Sequence, residues 1–244
     1  MALRRFRADL HIHSCLSPCG EVEMSPRRIV AEARKAGLDI IALCDHNTAA
    51  NTAAAVRAAA ESGLRVFPGI EITSSEEVHI LGLFESLEDI RPVETAVASN
   101  LPMPDARKTF VRDQVIADEF DGVSGFHPAF LMGATALSAG EIVDLIHAHN
   151  GLAVASHFDR SAFGIIAQLG FIPPDLNLDA LESASPDKAG GIDEASGLPV
   201  IQSSDAHQPD EIGRRSTLFL LAEPSIREIR QALTGVEGRW VLRT

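Results

Sequence analysis

The sequence predicts an α/β fold in which mostly parallel strands form a sheet or a barrel. Short apolar runs typical of strands alternate with helical patterns along most of the chain, which is the signature of repeated βα units. The run 38–44 is almost wholly apolar, as expected of a strand that is covered on both faces. Its 244 residues fit one α/β barrel, so we predict a single domain over 1–244.

The elements of the first third of the chain follow one another closely. A strand carries the stretch Arg7-Ala-Asp-Leu-His-Ile-His13 and leads into a turn. Ser25 and Pro26 then provide an N-cap and a proline at the first helical position, and the helix stops at Gly37. The pattern predicts strands at 38–44, 64–71 and 77–84, with a helix over 49–61 between the first two.

The alternation lapses between residues 86 and 137, where charged helical stretches precede a segment punctuated by glycine and proline. We interpret 86–137 as an insertion and as a candidate lid. The alternation resumes with a helix from Ser138 to His149, in which Ser138 and Glu141 match a capping box. The remaining predictions are strands at 152–156, 178–182, 199–203, 216–221 and 239–242, and a helix over 225–234.

Composition argues against several classes of protein. No apolar run approaches the ~20 residues that span a bilayer, and the first residues lack the apolar region of a signal peptide, so we expect a cytoplasmic location and no membrane partner. Three cysteines are too few and odd in number for a disulfide framework. A net charge of −13 disfavours binding to an extended nucleic acid, although a metal cluster would supply a local positive field for a phosphorylated substrate.

The first strand presents two histidines on one face. Because side chains alternate along a strand, His11 and His13 point the same way and Ile12 points the opposite way. Burying two unpaired imidazoles costs roughly 2 kcal/mol or more each, which a metal ion between them would offset. Taken alone, the pair is equally well explained as two histidines satisfied by ordinary core or surface contacts.

Further polar residues follow or end other predicted strands. They are Asp45, His46, Glu71, His157, Glu182, Asp205 and His207. The carboxyl ends of parallel strands are where α/β folds build active sites, whereas structural polar residues have no reason to prefer that edge. This distribution favours a metal site over scattered structural residues, with Glu182 orienting a ligand more plausibly than binding metal.

Several segments, in this order, resemble the PHP (polymerase and histidinol phosphatase) superfamily of metal-dependent phosphoesterases. They are Asp9-Leu-His-Ile-His13, Asp45-His46, Gly69-Ile-Glu71, Val78-His79-Ile-Leu-Gly82, His157 and Ser204-Asp205-Ala-His207. The resemblance covers roughly residues 7–84 and 150–235. It implies a distorted (β/α)7 TIM-like barrel with two or three divalent transition-metal ions, Zn, Fe or Mn, at its carboxyl mouth.

The resemblance also implies sets of metal ligands. One ion would be held by His11, His13, Glu71 and Asp205, and Glu71 would bridge to a second ion held by His79 and His157. A third would be held by His46 and His207. Relatives supply a further ligand to the third ion from the loop after the first strand, where this chain has Pro18 and Cys19, so Cys19 is a candidate thiolate ligand.

Two cations roughly 3.5–4 Å apart lower the pKa of a bridging water and clamp the attacking and leaving oxygens of a phosphoryl transfer. Asp205, Glu71 and His207 are therefore the candidate catalytic residues. Arg160 and Arg214 fall just after ligand strands and are candidates for holding the substrate phosphate. A surface arginine is the competing interpretation of each.

We therefore expect a hydrolase that acts on a phosphate ester of a small metabolite or nucleotide through a metal-bridging hydroxide, with a short oligonucleotide as a second choice. Two alternatives stay open: a metal-binding accessory module without turnover, and a hydrolase of C–N bonds. Candidate phosphate-binding arginines favour phosphorus over carbon.

Other polar residues carry weaker hypotheses. Asp9 is expected to be structural or to support the ligands from behind. His147 and His149 diverge on their predicted helix, which is typical of a solvated face. His127 is either incidental or part of the lid, and the spacing of Cys15 from Cys19 leaves a redox pair as a minor option.

Overall fold

The computed structural model describes residues 2–102, 113–184 and 196–242. The strands are β1 (Arg4–Ile12), β2 (Ile40–Leu43), β3 (Arg65–Thr73), β4 (His79–Leu83), β5 (Val115–Ala117), β6 (Val123–Phe126), β7 (Leu152–Ala155), β8 (Ala180–Glu182), β9 (Val200–Ile201), β10 (Thr217–Leu221) and β11 (Trp240–Leu242). The helices are α1 (Pro26–Lys35), α2 (Thr52–Ala59), α3 (Leu87–Asn100), α4 (Ala139–Ala148), α5 (Ile165–Leu169) and α6 (Ile226–Leu233). Within these ranges, no helix combines the length and the apolar character needed to cross a membrane.

The main sheet has the strand order β11-β10-β1-β2-β3-β4-β7-β8-β9. Parallel pairs join β1 to β2, β2 to β3, β7 to β8 and β8 to β9, while β4 is antiparallel to both of its neighbours. The two ends of the sheet approach each other, since the backbone N–H of Gln202 donates to Thr217 Oγ1 at 2.8 Å. The result is a nearly closed barrel, so the predicted α/β barrel class is confirmed.

The barrel interior is a packed apolar core rather than a channel. Inward side chains from the barrel strands, among them Phe6, Phe67 and Phe219, share one cluster with apolar residues of α6. This helix lies across the end of the barrel opposite the polar cluster described below: its Ile226 N–H donates to Glu85, just after β4, and its Arg230 donates to the carbonyl of Gly151, just before β7. The barrel is therefore closed at that end.

An irregularity in β1 determines how its histidines point. Leu10 belongs to the inner core, whereas Ile12 packs in the outer core beside α1. The register of β1 against β2 shifts between Asp9 and Ile12. This shift allows His11 to follow the inward Leu10 and still face the barrel mouth together with His13.

The strands that carry Glu71 and His79 differ from the prediction. β3 continues two residues beyond Glu71, and β4 begins at His79, two residues after the predicted start of the strand 77–84. Because β4 runs antiparallel to β3 and β7, its amino end lies at the same edge as the carboxyl ends of the parallel strands. His79 therefore reaches, from the amino end of its strand, the same edge as the residues at the carboxyl ends of the parallel strands.

The predicted insertion contains α3 and an antiparallel hairpin of β5 and β6. The sequence pattern did not predict this hairpin. Residues 103–112 lie outside the described residues. The hairpin is fastened to the loop after β1 and to the start of α2: Val115 N–H donates to Cys15 O at 3.2 Å, and Asn51 Nδ2 donates to Val115 O at 3.0 Å. The insertion thus packs beside the loops that carry candidate ligands, and its role as a lid stays a prediction.

Candidate metal centre

The mouth of the barrel brings all nine predicted metal-ligating residues into one connected cluster. The cluster comprises His11, His13, Cys19, His46, Glu71, His79, His157, Asp205 and His207. Most of these side chains are buried, and Cys19 and His207 lie at the rim.

Glu71 lies at the centre of the cluster and is surrounded by imidazoles. Its Oε1 lies 2.9 Å from His79 Nδ1, 3.3 Å from His157 Nε2 and 3.5 Å from His11 Nε2. Its Oε2 lies 3.0 Å from His46 Nδ1 and 3.4 Å from His13 Nε2. One carboxylate therefore touches residues of all three predicted ligand sets.

Within the described part of the chain, three groups of side chains converge closely enough to hold a metal ion. They are His11 with His13 and Asp205, His46 with Glu71 and His79, and His13 with Cys19, His46 and His207. In each group, one ligand atom from each residue lies within 4.8 Å of the others. These groups overlap the predicted sets but differ in membership: Glu71 is absent from the first, His157 from the second, and His13 and His46 each belong to two groups. Ligation by these residues stays a prediction.

Hydrogen bonds fix which ring nitrogens face the cluster. His11 Nδ1 donates to Glu182 Oε2 at 2.9 Å, which places Glu182 where a ligand-orienting residue was expected. His13 Nδ1 donates to Ser17 Oγ at 3.0 Å, and that hydroxyl donates to Asp45 Oδ1 at 2.6 Å. With each Nδ1 proton engaged, the two Nε2 atoms face each other 3.0 Å apart, which would bring two lone pairs together if both rings were neutral. Such lone pairs repel unless a proton or a cation lies beside them.

Two buried atoms of the cluster make no hydrogen bond of acceptable geometry, namely His157 Nδ1 and Glu71 Oε2, although His46 Nδ1 lies 3.0 Å from the latter. Orphaned polar atoms are costly in a protein interior, where burial without a partner costs about 1–3 kcal/mol per group. A bound cation would satisfy both the carboxylate oxygen and the imidazole nitrogen. Mixed imidazole and carboxylate donors suit Zn, Fe or Mn, so the residues present fit the metal cluster expected from the sequence.

The electrostatics of the metal-free cluster keep its central acid ionised. Burial opposes the charge on Glu71, but the imidazoles of His79, His11 and His46 hold its pKa well below the ordinary value. Burial lowers the pKa of His46 to about 4 and that of His207 to about 3, so both rings are neutral near pH 7. Although burial opposes it, Asp205 and Glu71 raise the pKa of His13 to about 9, so the metal-free cluster holds a proton where a divalent cation would compete for the same donors.

Three non-glycine residues at or beside the site have strained backbone conformations. His157 and Asp205 adopt positive φ angles of 28° and 52°, and Phe163 has a φ of 59°. Such conformations cost non-glycine residues about 1–3 kcal/mol each, and surrounding contacts must hold them. The Phe163 ring stacks on that of His79, with centroids 4.4 Å apart, and its carbonyl accepts the His79 backbone N–H at 3.0 Å.

Three supporting residues were missed by sequence reasoning: Ser17, Ser156 and Phe163. Ser156 Oγ donates to Glu71 Oε1 at 2.8 Å. Ser156 directly precedes a candidate ligand, which is the one signal that could have drawn attention to it. Ser17 and Phe163 have no such signal, because their roles depend on how separate loops pack.

Asp9 lies behind the cluster and contacts none of its imidazoles directly. Its carboxylate accepts the backbone N–H groups of Ser204 and Gly213, both at 2.9 Å. It therefore anchors the segment that carries two of the predicted ligands, which is one of the two roles considered from the sequence. Burial raises the pKa of Asp9 to about 6.

The structure separates the two candidate phosphate-binding arginines. Arg160 Nη1 lies 2.5 Å from Asp205 Oδ2, and 42% of its side chain is exposed at the mouth. Arg214 instead pairs with Asp210, four residues earlier, and has no described contact with the cluster. Its own neighbouring acids hold it on the exterior, so the expectation that Arg214 reaches the site is corrected and Arg160 alone remains.

Two other histidines also have defined surroundings. His127 lines a cavity of about 440 Å³ together with Asn47 and Glu94, beside the loop that carries His46. His147 Nε2 lies 2.8 Å from Asp179 Oδ2 while 31% of its side chain is exposed, so the partly solvated face also carries a pairing that was not predicted. Its partner acid comes from a distant part of the chain, which helix spacing cannot reveal.

Comparison with known families gives two matches along the chain. The family model described as PHP domain matches residues 9–161, and one described as PHP-associated matches residues 187–235. The first match covers more than half of the chain.

Two curated relatives align with about half of the chain. A Haemophilus influenzae protein named 5'-3' exoribonuclease is 33% identical over 138 residues, covering 55% of this chain and 46% of that protein. A 3',5'-nucleoside bisphosphate phosphatase of Chromobacterium violaceum is 31% identical over 121 residues, covering 48% of this chain and 40% of that protein. The chain thus spans about half the length of the curated relatives that it matches.

Solved structures match almost the whole chain. A lesion-specific endonuclease from Pyrococcus furiosus superposes with a TM-score of 0.75 at 21% identity, covering 98% of this chain and 58% of that one. A metal-dependent phosphoesterase structure from Bifidobacterium adolescentis gives a TM-score of 0.54 at 22% identity, covering 82% and 87%. At these identities the likeness shows a shared fold.

Proposed function

Because the chain belongs to the PHP domain family, we propose that it is a metal-dependent phosphoesterase that hydrolyses a phosphate ester of a small metabolite or nucleotide. The observation that carries the proposal is the convergence of imidazole nitrogens and carboxylate oxygens on Glu71 at an open barrel mouth, with Arg160 beside them. The curated relatives bear names that refer to phosphoester hydrolysis, which supports the same class of reaction.

The residues that would hold the ions are the nine of the cluster, of which His13 and His46 each belong to two of the three candidate groups. Bound divalent ions lower the pKa of water and neutralise charge on a phosphate. Glu182 and Ser17 orient His11 and His13, so that both Nε2 atoms are already aimed at the cluster before any ion arrives. Because of this preorganisation, His11 and His13 need not rearrange when metal ions bind.

Arg160 is the residue proposed to hold the substrate phosphate. Its guanidinium is partly exposed and pairs with one oxygen of Asp205, while the other oxygen of Asp205 lies 3.1 Å from His13 Nε2. An arginine can donate two parallel hydrogen bonds to a phosphate. Its carboxylate partner fixes the orientation of the guanidinium and leaves some of its five N–H donors free. Arg160 therefore connects the cluster with the solvent where a substrate enters.

The proposed substrate class is a phosphomonoester or the terminal phosphate of a short nucleotide. A dianionic phosphate gains more from a cation-lined mouth than an internal diester does. The net charge of −13 repels an extended polyanion everywhere except at that mouth. A short oligonucleotide is the second choice, which the name of the Haemophilus influenzae relative, 5'-3' exoribonuclease, supports.

A panel of substrates assayed with Mn²⁺ tests this proposal. We expect phosphate release from p-nitrophenyl phosphate and from mono- and bisphosphorylated nucleotides to exceed cleavage of bis-p-nitrophenyl phosphate and of a long single strand. Elemental analysis of the protein used should give at least two ions per chain, since the cluster offers more ligands than one ion takes.

Matched variants identify the groups responsible. Asp205→Asn and His11→Ala should abolish turnover, and Arg160→Ala should weaken substrate use by about 10- to 100-fold, the value of a hydrogen bond to a charged group. Arg214→Ala is the control and should retain activity. Preference for the long strand would refute the substrate class. Absence of phosphate release from loaded protein would refute the phosphoesterase itself, and an amide panel would then separate C–N hydrolysis from a module without turnover.

A further inference from the structure

One of the three candidate metal groups differs chemically from the others. The group of His13, Cys19, His46 and His207 contains three imidazoles and one thiol, whereas the other two each contain a carboxylate. Its four ligand atoms lie within 4.8 Å of one another. Such a set of nitrogen and sulfur donors is typical of zinc or iron sites in proteins.

The backbone holds Cys19 at this position. A Cβ on Gly20 would collide with the carbonyl oxygen of Ser14, so the tight turn that presents Cys19 requires glycine at the next residue. The N–H of Glu21 donates to the carbonyl of His207 at 3.0 Å and fastens the turn to the segment carrying a second member of the group. The thiol is therefore placed by main-chain contacts.

The orientation of His207 leaves a lone pair for this group. Its Nδ1 lies 2.8 Å from the backbone oxygen of Asp205, which can only accept, so Nδ1 carries the proton. Its Nε2 lies 3.1 Å from Cys19 Sγ and presents a lone pair to the thiol. His13 is fixed in the same way through Ser17, with its Nε2 aimed at the mouth.

We infer that Cys19 is a thiolate ligand in a third metal group formed with His46 and His207, and that this group takes Zn²⁺ or Fe²⁺ in preference to Mn²⁺. On binding, the S–H bond is replaced by a bond from sulfur to the ion and the proton passes to solvent. Thiolate and imidazole donors favour softer ions, whereas the groups containing Glu71 or Asp205 also accept harder ones. This inference rests on the proposed metal-dependent function, because it assigns one ligand within that cluster.

Loading the purified protein with Co²⁺ tests the inference without an activity assay. A thiolate bound to Co²⁺ gives a charge-transfer absorption band in the near ultraviolet, which nitrogen and oxygen ligands do not give. We expect this band in the wild type and its loss in Cys19→Ser and Cys19→Ala, with about one Co²⁺ fewer per chain by elemental analysis.

The other two cysteines provide matched controls. Cys15 Sγ donates to the Val115 carbonyl at 3.7 Å and Cys44 Sγ to the Leu10 carbonyl at 3.4 Å, and neither belongs to a candidate metal group. The double variant Cys15→Ala/Cys44→Ala should therefore keep the full band, which Cys19 alone can then supply. The band of this double variant tests the inference even if the Cys19 variants fold poorly.

Absence of the band from loaded wild-type protein, or its loss from the double variant, would overturn the inference. Its persistence in Cys19→Ala would do the same. Phosphate release is measured separately. A band without turnover would support the thiolate ligand and refute the proposed function. Turnover without a band would support the proposed function and refute the thiolate ligand.

Discussion

Phe163 positions His79 through two contacts, a ring stack with planes 16° apart and a hydrogen bond from the His79 backbone N–H. Removing the Phe163 ring should allow the imidazole to turn away from Glu71, which it now meets at 2.9 Å. Loss of a residue that orients a metal ligand typically lowers metal affinity 10- to 100-fold. We therefore expect Phe163→Ala to lower the affinity for the most tightly bound ions by about that factor. Metal titration monitored by a competing chelator measures the change.

The matched control is Phe171→Ala, because Phe171 is 59% exposed and belongs to none of the described ring contacts. Its metal affinity should equal that of the wild type. Equal affinities in the two variants would show that the Phe163 ring does not position the ligand. Circular dichroism of both proteins separates a loss of affinity from a loss of fold.

At the scale of single residues, sequence reasoning could recover the chemistry-bearing side chains but not their supports. His11 and His13 form a pattern that elementary strand geometry interprets. Ser17 and Phe163 carry no comparable pattern, because each becomes a support only when a separate loop folds against a ligand. Arg214 was misplaced for the related reason that acids in its own segment compete for it.

At the scale of elements, Glu228 ties α6 to the final strands. Its carboxylate is buried, accepts the Ala222 N–H at 2.7 Å and receives two hydrogen bonds from Arg239 at 2.8 Å each. Replacing it should cost about 1–3 kcal/mol of unfolding free energy, as expected when charged hydrogen bonds are lost in a buried site. Chemical denaturation of Glu228→Gln measures this loss.

The same residue gives a pH dependence with a defined sign. Hydrogen bonds from Arg239 hold the pKa of Glu228 below its ordinary value of 4.5. Its contribution to stability is therefore complete above pH 4.5 and is lost as the pH falls through the lower pKa of the folded state. The stability of Glu228→Gln should fall less steeply in that acidic range than that of the wild type. Glu223→Gln, which alters an exposed pair with Arg227, should change stability by no more than about 0.5 kcal/mol.

Local signals predicted the helices better than the strands. Ser25 and Ser138 were predicted as N-caps, and both side chains accept the expected backbone N–H. The direction of β4 and the register shift in β1 were missed, because each depends on pairing with strands distant in sequence. The hairpin of β5 and β6 was missed because β5 has only three residues, and because β6 is mostly exposed and lacks the apolar alternation of a buried strand.

At the scale of the whole molecule, the barrel class could be predicted because alternation of strands and helices is a global pattern. The convergence of His79 with Glu71 could not, since it requires a strand that reverses direction within the sheet. The resemblance to a family implied that His79 is a ligand but did not indicate how its side chain reaches Glu71. Sequence patterning therefore located the site at one edge of the barrel, and the structure assigned each group to its element.

The closure of the barrel by α6, over an interior filled with side chains, has a kinetic consequence. The described part of the molecule offers no second exit, so substrate and both products must pass through the same opening beside Arg160. Inorganic phosphate, the last group to lose its contacts there, should compete with the incoming ester. We expect phosphate to raise the apparent KM without changing kcat in steady-state assays. Inhibition that lowers kcat at constant KM would instead show that phosphate binds at a place that the substrate does not occupy.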